Sequence, residues 1–542
     1  MPIEWNHQMT SVRKRLPTLL CACVLIAPTA SHATAPPLGL PRWFTGLCDT
    51  HAATGQHTTS VAQTPASQRG KPNESSLLEA AEANDLPGVC KLYANADPNA
   101  AQPDGSTALH WAAHHNNTNM VRVLLNAKAN AKATNRYGVP PLIIACRNGN
   151  TAIVTALLKA GADPNSRLKG GESAIMTAAR TGKVGPVNAL IQSGVNVNDK
   201  ERKGQNALMW AAAAGHLEVV QTLLKAKANR TTLKSGFTPI LFAARNGHSD
   251  VVFELIKAGA DINTPMQPAR TGGKNPRKNM TALLLAVENG HFELAIKLID
   301  AGADPNDQRS GYSPLHALTW VRKPNRGDGP DGDPAPRGTG KLNSLQFVRE
   351  IVARGANVNL QPKRGRSGRA VLNQRGATPF LMAARTADIP LLKLLLELGA
   401  DPHIQNADES TSLMAAAGLG TLATLEVAGT EPEAIAAVKL VLKQGADVNA
   451  VDKNGETAMH GAAYKSFPAV CQLLADNGAD FKVWNKKNKH GWTPLLIAEG
   501  HRPGNYRPSF ETTDAIHKLF RANGVEPPPP TPRVKLKGYD KR

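Results

Sequence analysis

The sequence predicts an all-α solenoid assembled from many copies of a two-helix unit. Three observations carry that prediction. The phrase Thr107-Ala-Leu-His110-Trp-Ala-Ala113 returns in related form at residues 140–146, 173–179, 206–212 and 238–244, with starts 33, 33, 33 and 32 residues apart. A fixed period of that length marks stacked structural repeats. Aromatic residues make up only 4% of the 542, which is low for a chain that buries one large conventional core. Hydrophobic residues at 41% and charged residues at 20% exclude both a disordered polyampholyte and a protein with many membrane spans.

The elements follow in chain order. Arg13-Lys14-Arg15 precedes an apolar run over residues 16–27, which ends in small residues through Ala35. This is the pattern of a secretory signal peptide, with cleavage placed after Ala33. The run is about a dozen residues, too short for a span that needs roughly 20. The expected location is therefore exported, periplasmic or secreted, with an uncleaved anchor as the alternative and no stable transmembrane segment after processing. Residues 34–75, rich in Thr, Ala, Pro, Ser and Gln, read as a flexible linker. Four cysteines lie beyond the signal: Cys48, Cys90, Cys146 and Cys471. Cys146 falls at a small, buried slot, and Cys90 and Cys471 read as outward-facing. A Cys48–Cys90 bridge stays open as an alternative.

Residues 76–520 hold the repeats, opening with an atypical unit whose Leu77-Leu78-Glu-Ala-Ala81 reads as a polar cap. Further copies begin at Thr281, Ser313, Thr378, Thr411, Thr457 and Thr493. The Thr or Ser caps a helix N-terminus, and a following Pro suits the first turn. Gly149, Gly182, Gly215, Gly247 and Gly290 supply the left-handed residue that ends this first helix. A Leu-rich second helix then stops at a Gly-Ala-Asp phrase such as Gly259-Ala-Asp261, and a hairpin leads onward. One such unit cannot bury its apolar face alone, so a continuous core running through the stack is expected.

This pattern resembles the ankyrin repeat, over eleven motif copies plus the first cap, or about eleven to twelve repeats with β-hairpin tips. Pro140 and Asn206 depart from it at the capping position, and Glu409 at the turn glycine. The chain as a whole resembles large exported bacterial ankyrin proteins. The resemblance implies a binding scaffold and assigns no catalytic residue. It also implies that hairpin tips and first-helix surfaces line a concave groove.

The period breaks in the C-terminal half, where insertions are expected near residues 264–278, 322–345, 361–375 and 419–432, followed by a Pro-rich basic tail over 521–542. Insertions in repeat arrays map to particular faces, often the binding face.

The net charge is +20, which favours anionic partners. Its most ordered expression is a column two residues before the turn glycine or its equivalent: Arg136, Lys169, Arg202, Lys234, Arg277 and Arg309, resumed by Lys453 and Lys489. A second column follows the paired alanines: Arg147, Arg180, Arg245 and Arg385. Trp111, Trp210 and Phe242 occupy the slot before that pair, as groove anchors or as gap fillers between repeats. Nucleic acid fits poorly, because no aromatic stacking platform is interleaved with the basic residues. No cofactor or metal is expected. His110 is the motif histidine, and Asp328, Asp331 and Asp333 lack the calcium-loop spacing. No serine elbow, Cys/His couple or carboxylate pair stands apart from repeat positions, so no enzyme is expected. The function expected is a monomeric exported scaffold that binds an unknown protein partner. An anionic-polymer or envelope-surface binder and a secreted host-directed effector are the alternatives.

Overall fold

The computed structural model describes residues 76–531 except 231, 272–276, 325–334, 366, 368–370, 422–427 and 503–507. The signal peptide, the linker, Cys48, Asp328, Asp331, Asp333 and the second half of the tail, 532–542, lie outside the described residues. Contacts divide the described residues into two compact units: those up to 169 with 192–194, and 170–191 with those from 195 onward. Among the described residues the first unit contains three helix pairs, from Leu77–Glu82 with Leu86–Leu92 to Pro141–Asn148 with Thr151–Lys159. The second contains nine, from Ala174–Arg180 with Val184–Gln192 to Pro494–Glu499 with Phe510–Ala522, and a short extra helix, Phe481–Trp484.

First helices are short and almost wholly buried; in Pro239–Arg245 every residue except the terminal arginine is buried. Their alanines let neighbouring first helices stack closely. Second helices are amphipathic. Leu217–Lys225 buries Val219, Val220 and Leu223 and keeps its charged residues outward. In the first unit, Ala113, Val139 and Ile144 form a core cluster against which Tyr137 and Leu168 pack.

Capping follows the expected chemistry in part, since Ser173 and Thr238 make no side-chain cap bond. Thr281, Thr378, Thr411 and Thr493 each accept a backbone N–H from the third helical residue. Asn206 does the same from Met209 at 3.0 Å, whereas Pro140 has no side-chain oxygen and makes no cap bond. Glu409 adopts φ +62°, so this non-glycine residue holds the left-handed turn conformation itself. Where the motif histidine is present it locks the cap. His110 Nε2 donates to the Val139 carbonyl at 2.9 Å, and its Nδ1 accepts from the Thr107 hydroxyl at 2.9 Å. Both ring nitrogens are thereby committed inside the fold.

The connections are turns, with no strand among the described residues. The expected hairpin tips are closed by a bond or an isolated bridge, as between Ala101 and Thr107. Several turns also bond to a neighbouring turn. In the first unit the Arg136 amide donates to the Asp104 carbonyl at 2.8 Å, and in the second the Lys489 amide donates to that of Asn454 at 2.8 Å. The asparagine of the closing phrase forms a further ladder: Asn306 donates to the Gly355 carbonyl and accepts from the Asn357 amide, both at 2.8 Å.

Candidate interaction surface

The cationic column divides into committed and uncommitted members. In the first unit, Lys169 Nζ donates to the Arg136 carbonyl at 2.8 Å, and the Arg136 guanidinium lies 4.9 Å from the Tyr137 ring centroid while donating to its hydroxyl. In the second unit, Arg277 is paired with Glu288. Glu288 is nearly buried and also accepts from the Tyr312 hydroxyl at 2.7 Å, whose ring packs edge-on against Trp320. Partial desolvation works against the Arg277 charge, yet Glu288 and Tyr312 hold it above its ordinary value. Arg309 grips Asp307 through two guanidinium nitrogens, at 2.9 and 3.0 Å. Lys453 pairs with Glu409 at 3.1 Å. Arg202, Lys234 and Lys489 are exposed, and no ion pair engages their side chains among the described residues.

The second column is also uneven. Arg180 is exposed and lies 5.3 Å from the Trp210 ring centroid. Arg147, Arg245 and Arg385 are half-buried at the ends of their helices. The equivalent position in the repeat opened by Thr281 is Glu288, and in the next it is Trp320. With Ala213 in the repeat opened by Asn206, three such positions break the basic run, and sequence reading that collected only the arginines missed them. Their common offset of seven from the capping residue is the signal that finds them.

The aromatic residues have different environments. Trp111 is half-buried, donates through Nε1 to Gln102 at 3.1 Å and stacks on His115. Trp210 and Phe242 are 9% and 7% exposed, which is the position of gap fillers; Phe242 packs on Phe237 with centroids 4.8 Å apart. Cys90 is exposed, but Cys471 is buried. That corrects its outward assignment, and burial pushes its thiol up to about 12. Among the described residues no cluster of His, Cys, Asp or Glu is arranged to hold a metal ion, and no helix is long and apolar enough to cross a membrane.

The insertions are docked through their described portions. Residues 335–342 fold back on the preceding repeat. The Thr339 amide donates to His291 Nδ1 at 3.0 Å, and Gly338 lies so close that a Cβ there would sit 1.7 Å from the Gly290 carbonyl oxygen. Leu372 of the 361–375 insertion is buried and packs over Gly420 of the 419–432 insertion. Two buried cations fasten that last insertion at both ends. Lys465 donates to the Ala428 and Gly429 carbonyls, and Arg502 donates to the Thr421 carbonyl. An open groove of about 610 Å³ is lined by Asn263, Asn306, Arg309, Lys363 and Arg364 among others.

Comparison with known families decides the identity of the repeats. Ankyrin repeats in three-copy blocks match residues 77–168, 175–266 and 425–505, and single ankyrin repeats match 278–309 and 375–407. Together these cover more than half of the chain. The chain is an ankyrin-repeat protein. Similar ankyrin proteins include the mouse B-cell lymphoma 3 protein homolog, 30% identical over 24% of this chain and 26% of that protein. The rat ankyrin repeat and SAM domain-containing protein 6 is 37% identical over 22% of this chain and 11% of its own length. Palmitoyltransferase AKR1 of the yeast Lachancea kluyveri is 31% identical over 28% of this chain and 18% of its own. The chain thus spans between about a tenth and a quarter of these relatives, all of them eukaryotic. Ankyrin repeats are protein-interaction scaffolds.

Proposed function

We propose that this ankyrin protein is a non-catalytic, exported scaffold. It binds a protein partner through the groove face formed by its first helices and hairpin tips, with the C-terminal insertions adding contacts. The observation that carries the reading is that turns bond to their neighbours, as where the Ala269 amide donates to the Lys234 carbonyl at 2.8 Å, while Arg202 and Lys234 stand exposed and without an ion pair among the described residues. Preorganisation lowers the ordering cost of binding, and the cations set on-rate and salt dependence. Export rests on residues 1–33, whose basic patch, apolar run and small residues form a signal pattern.

The test is a pull-down from cell-envelope extract with the full chain at low and high salt. It is run beside a variant in which Arg136, Lys169, Arg202, Lys234, Arg277 and Arg309 are changed to Ser. A discrete protein that survives high salt and is lost in the variant is the expected result. Capture of polymer or lipid alone, removed by salt, would replace this reading with that of an anionic-surface binder.

A further inference from the structure

The two cationic columns come within side-chain reach of each other in one repeat. Arg277 stands four residues before the capping Thr281 and Glu288 seven residues after it, and their side chains form an ion pair. The same offsets in the repeat opened by Thr238 select Lys234 and Arg245. Here a base stands at the acid's position, so the register that pairs Arg277 with Glu288 puts two cations at the corresponding positions. Lys234 is exposed and Arg245 half-buried, and among the described residues neither side chain has an ion-pair partner. The nearest equivalent acid, Glu288, is already taken by Arg277 and Tyr312.

We infer that Lys234 and Arg245 form a clamp for a carboxylate supplied from outside. The occupant is an acidic, extended peptide segment whose Glu or Asp takes the place that Glu288 takes beside Arg277. This rests on the scaffold reading above and names the chemistry of its partner. Charge-assisted bonds from two donors to one carboxylate are short and strong. Arg202, one repeat earlier, and Arg180, of the repeat before that and lying over the Trp210 ring, offer two more cations without an ion pair among the described residues. Stacked helices are roughly 8–10 Å apart and an extended chain advances about 3.3 Å per residue, so acids about three residues apart would reach successive repeats.

The test measures fluorescence anisotropy of a labelled hexaglutamate peptide with the full chain, with heparin as a second probe. Arg245→Glu rebuilds the internal pair with Lys234, and Lys297→Glu, on an exposed second-helix position, makes the same change in net charge elsewhere. Saturable hexaglutamate binding that weakens about tenfold in Arg245→Glu and less than twofold in Lys297→Glu is expected. Equal weakening in both variants, binding of heparin alone, or no peptide binding overturns the clamp. A melting temperature of Arg245→Glu at or above that of the parent shows that any loss is not unfolding. If the clamp fails while the envelope pull-down still yields a salt-resistant protein, the scaffold reading survives. If peptide binds and that pull-down is empty, the broader reading falls instead.

Discussion

The repeats opened by Thr238 and Thr281 share a backbone plan but differ in how they treat charge. In the later one, Glu288 neutralises Arg277, anchors the Tyr312 hydroxyl and leaves nothing for a visitor. In the earlier one, Arg245 holds that position, and Lys234 has no internal acid among the described residues. The difference teaches that a column of identical charges is not a uniform surface. What decides its availability is the residue eleven positions further on, across the turn and along the first helix.

The largest way to break this contrast is Glu288→Arg, which gives the later repeat the charge pattern of the earlier one. There the change is not tolerated, because Tyr312 loses its acceptor and Arg277 meets a like charge beside a nearly buried site. Removing one partner of a fully buried pair costs roughly 3–5 kcal/mol; Arg277 is 56% exposed, so solvent screens part of that and the loss here is on the order of 2–4 kcal/mol. Urea unfolding should show that loss in the transition of the second unit. A midpoint unchanged from the parent would mean that the pair contributes nothing.

A second comparison sharpens what satisfies a buried acid. Glu288 is held by a guanidinium, whereas Glu456 accepts only from neutral groups, the Tyr464 hydroxyl at 2.6 Å and the Asn488 amide at 2.8 Å. Burial pushes Glu456 up to about 7 despite those bonds. A raised carboxyl binds its proton more tightly folded than unfolded. Its contribution to stability is therefore full below about pH 4.5 and lost as pH rises through about 7. The swing is on the order of 2–3 kcal/mol. Buried His316 and His460, both pushed down to about 4 by burial, act oppositely, contributing above pH 6.5 and losing that contribution as pH falls to 4. The quantity to measure is thus the difference between parent and Glu456→Gln across pH 4–8. It should shift steadily in favour of Glu456→Gln as pH rises, and a flat difference would remove the assignment.

These two acids also show which features were legible in the sequence. Helix caps, the Gly149 and Gly215 terminations and the Leu-rich second helices recur at fixed offsets, so periodicity exposes them. The docking of the insertions does not recur. Thr339 meets His291 across 48 residues, and Arg502 reaches Thr421 across 81. No local pattern encodes those contacts. Lys465 and Arg502 are buried, and nothing in their local sequence marks them as different from surface cations. Glu288 was an intermediate case, visible at a repeat position but hidden by a search that collected only bases.

The docked insertion offers a smaller effect. Gly338→Ala would drive a methyl into the Gly290 carbonyl, so residues 335–342 must shift and release the Thr339–His291 bond. The expected cost is about 1–2 kcal/mol, with faster proteolytic cleavage around residue 338 while the helix pairs stay intact. Cleavage at the parent rate would mean that the insertion adapts without leaving its seat.

The smallest effect comes from making the earlier repeat resemble the later one. Arg245→Glu removes a like-charge neighbour from Lys234 and supplies an acid instead. Lys234 is exposed, so solvent screens both the repulsion relieved and the attraction gained, and the benefit should stay below about 1 kcal/mol. Salt separates that origin from packing. If the gain is electrostatic, raising ionic strength from low to about 0.5 M, where the screening length falls to a few ångströms, should bring parent and variant together. A gain that persists at high salt would instead point to the shorter side chain fitting the end of the Pro239–Arg245 helix better, and the two repeats would then differ by packing and not by charge.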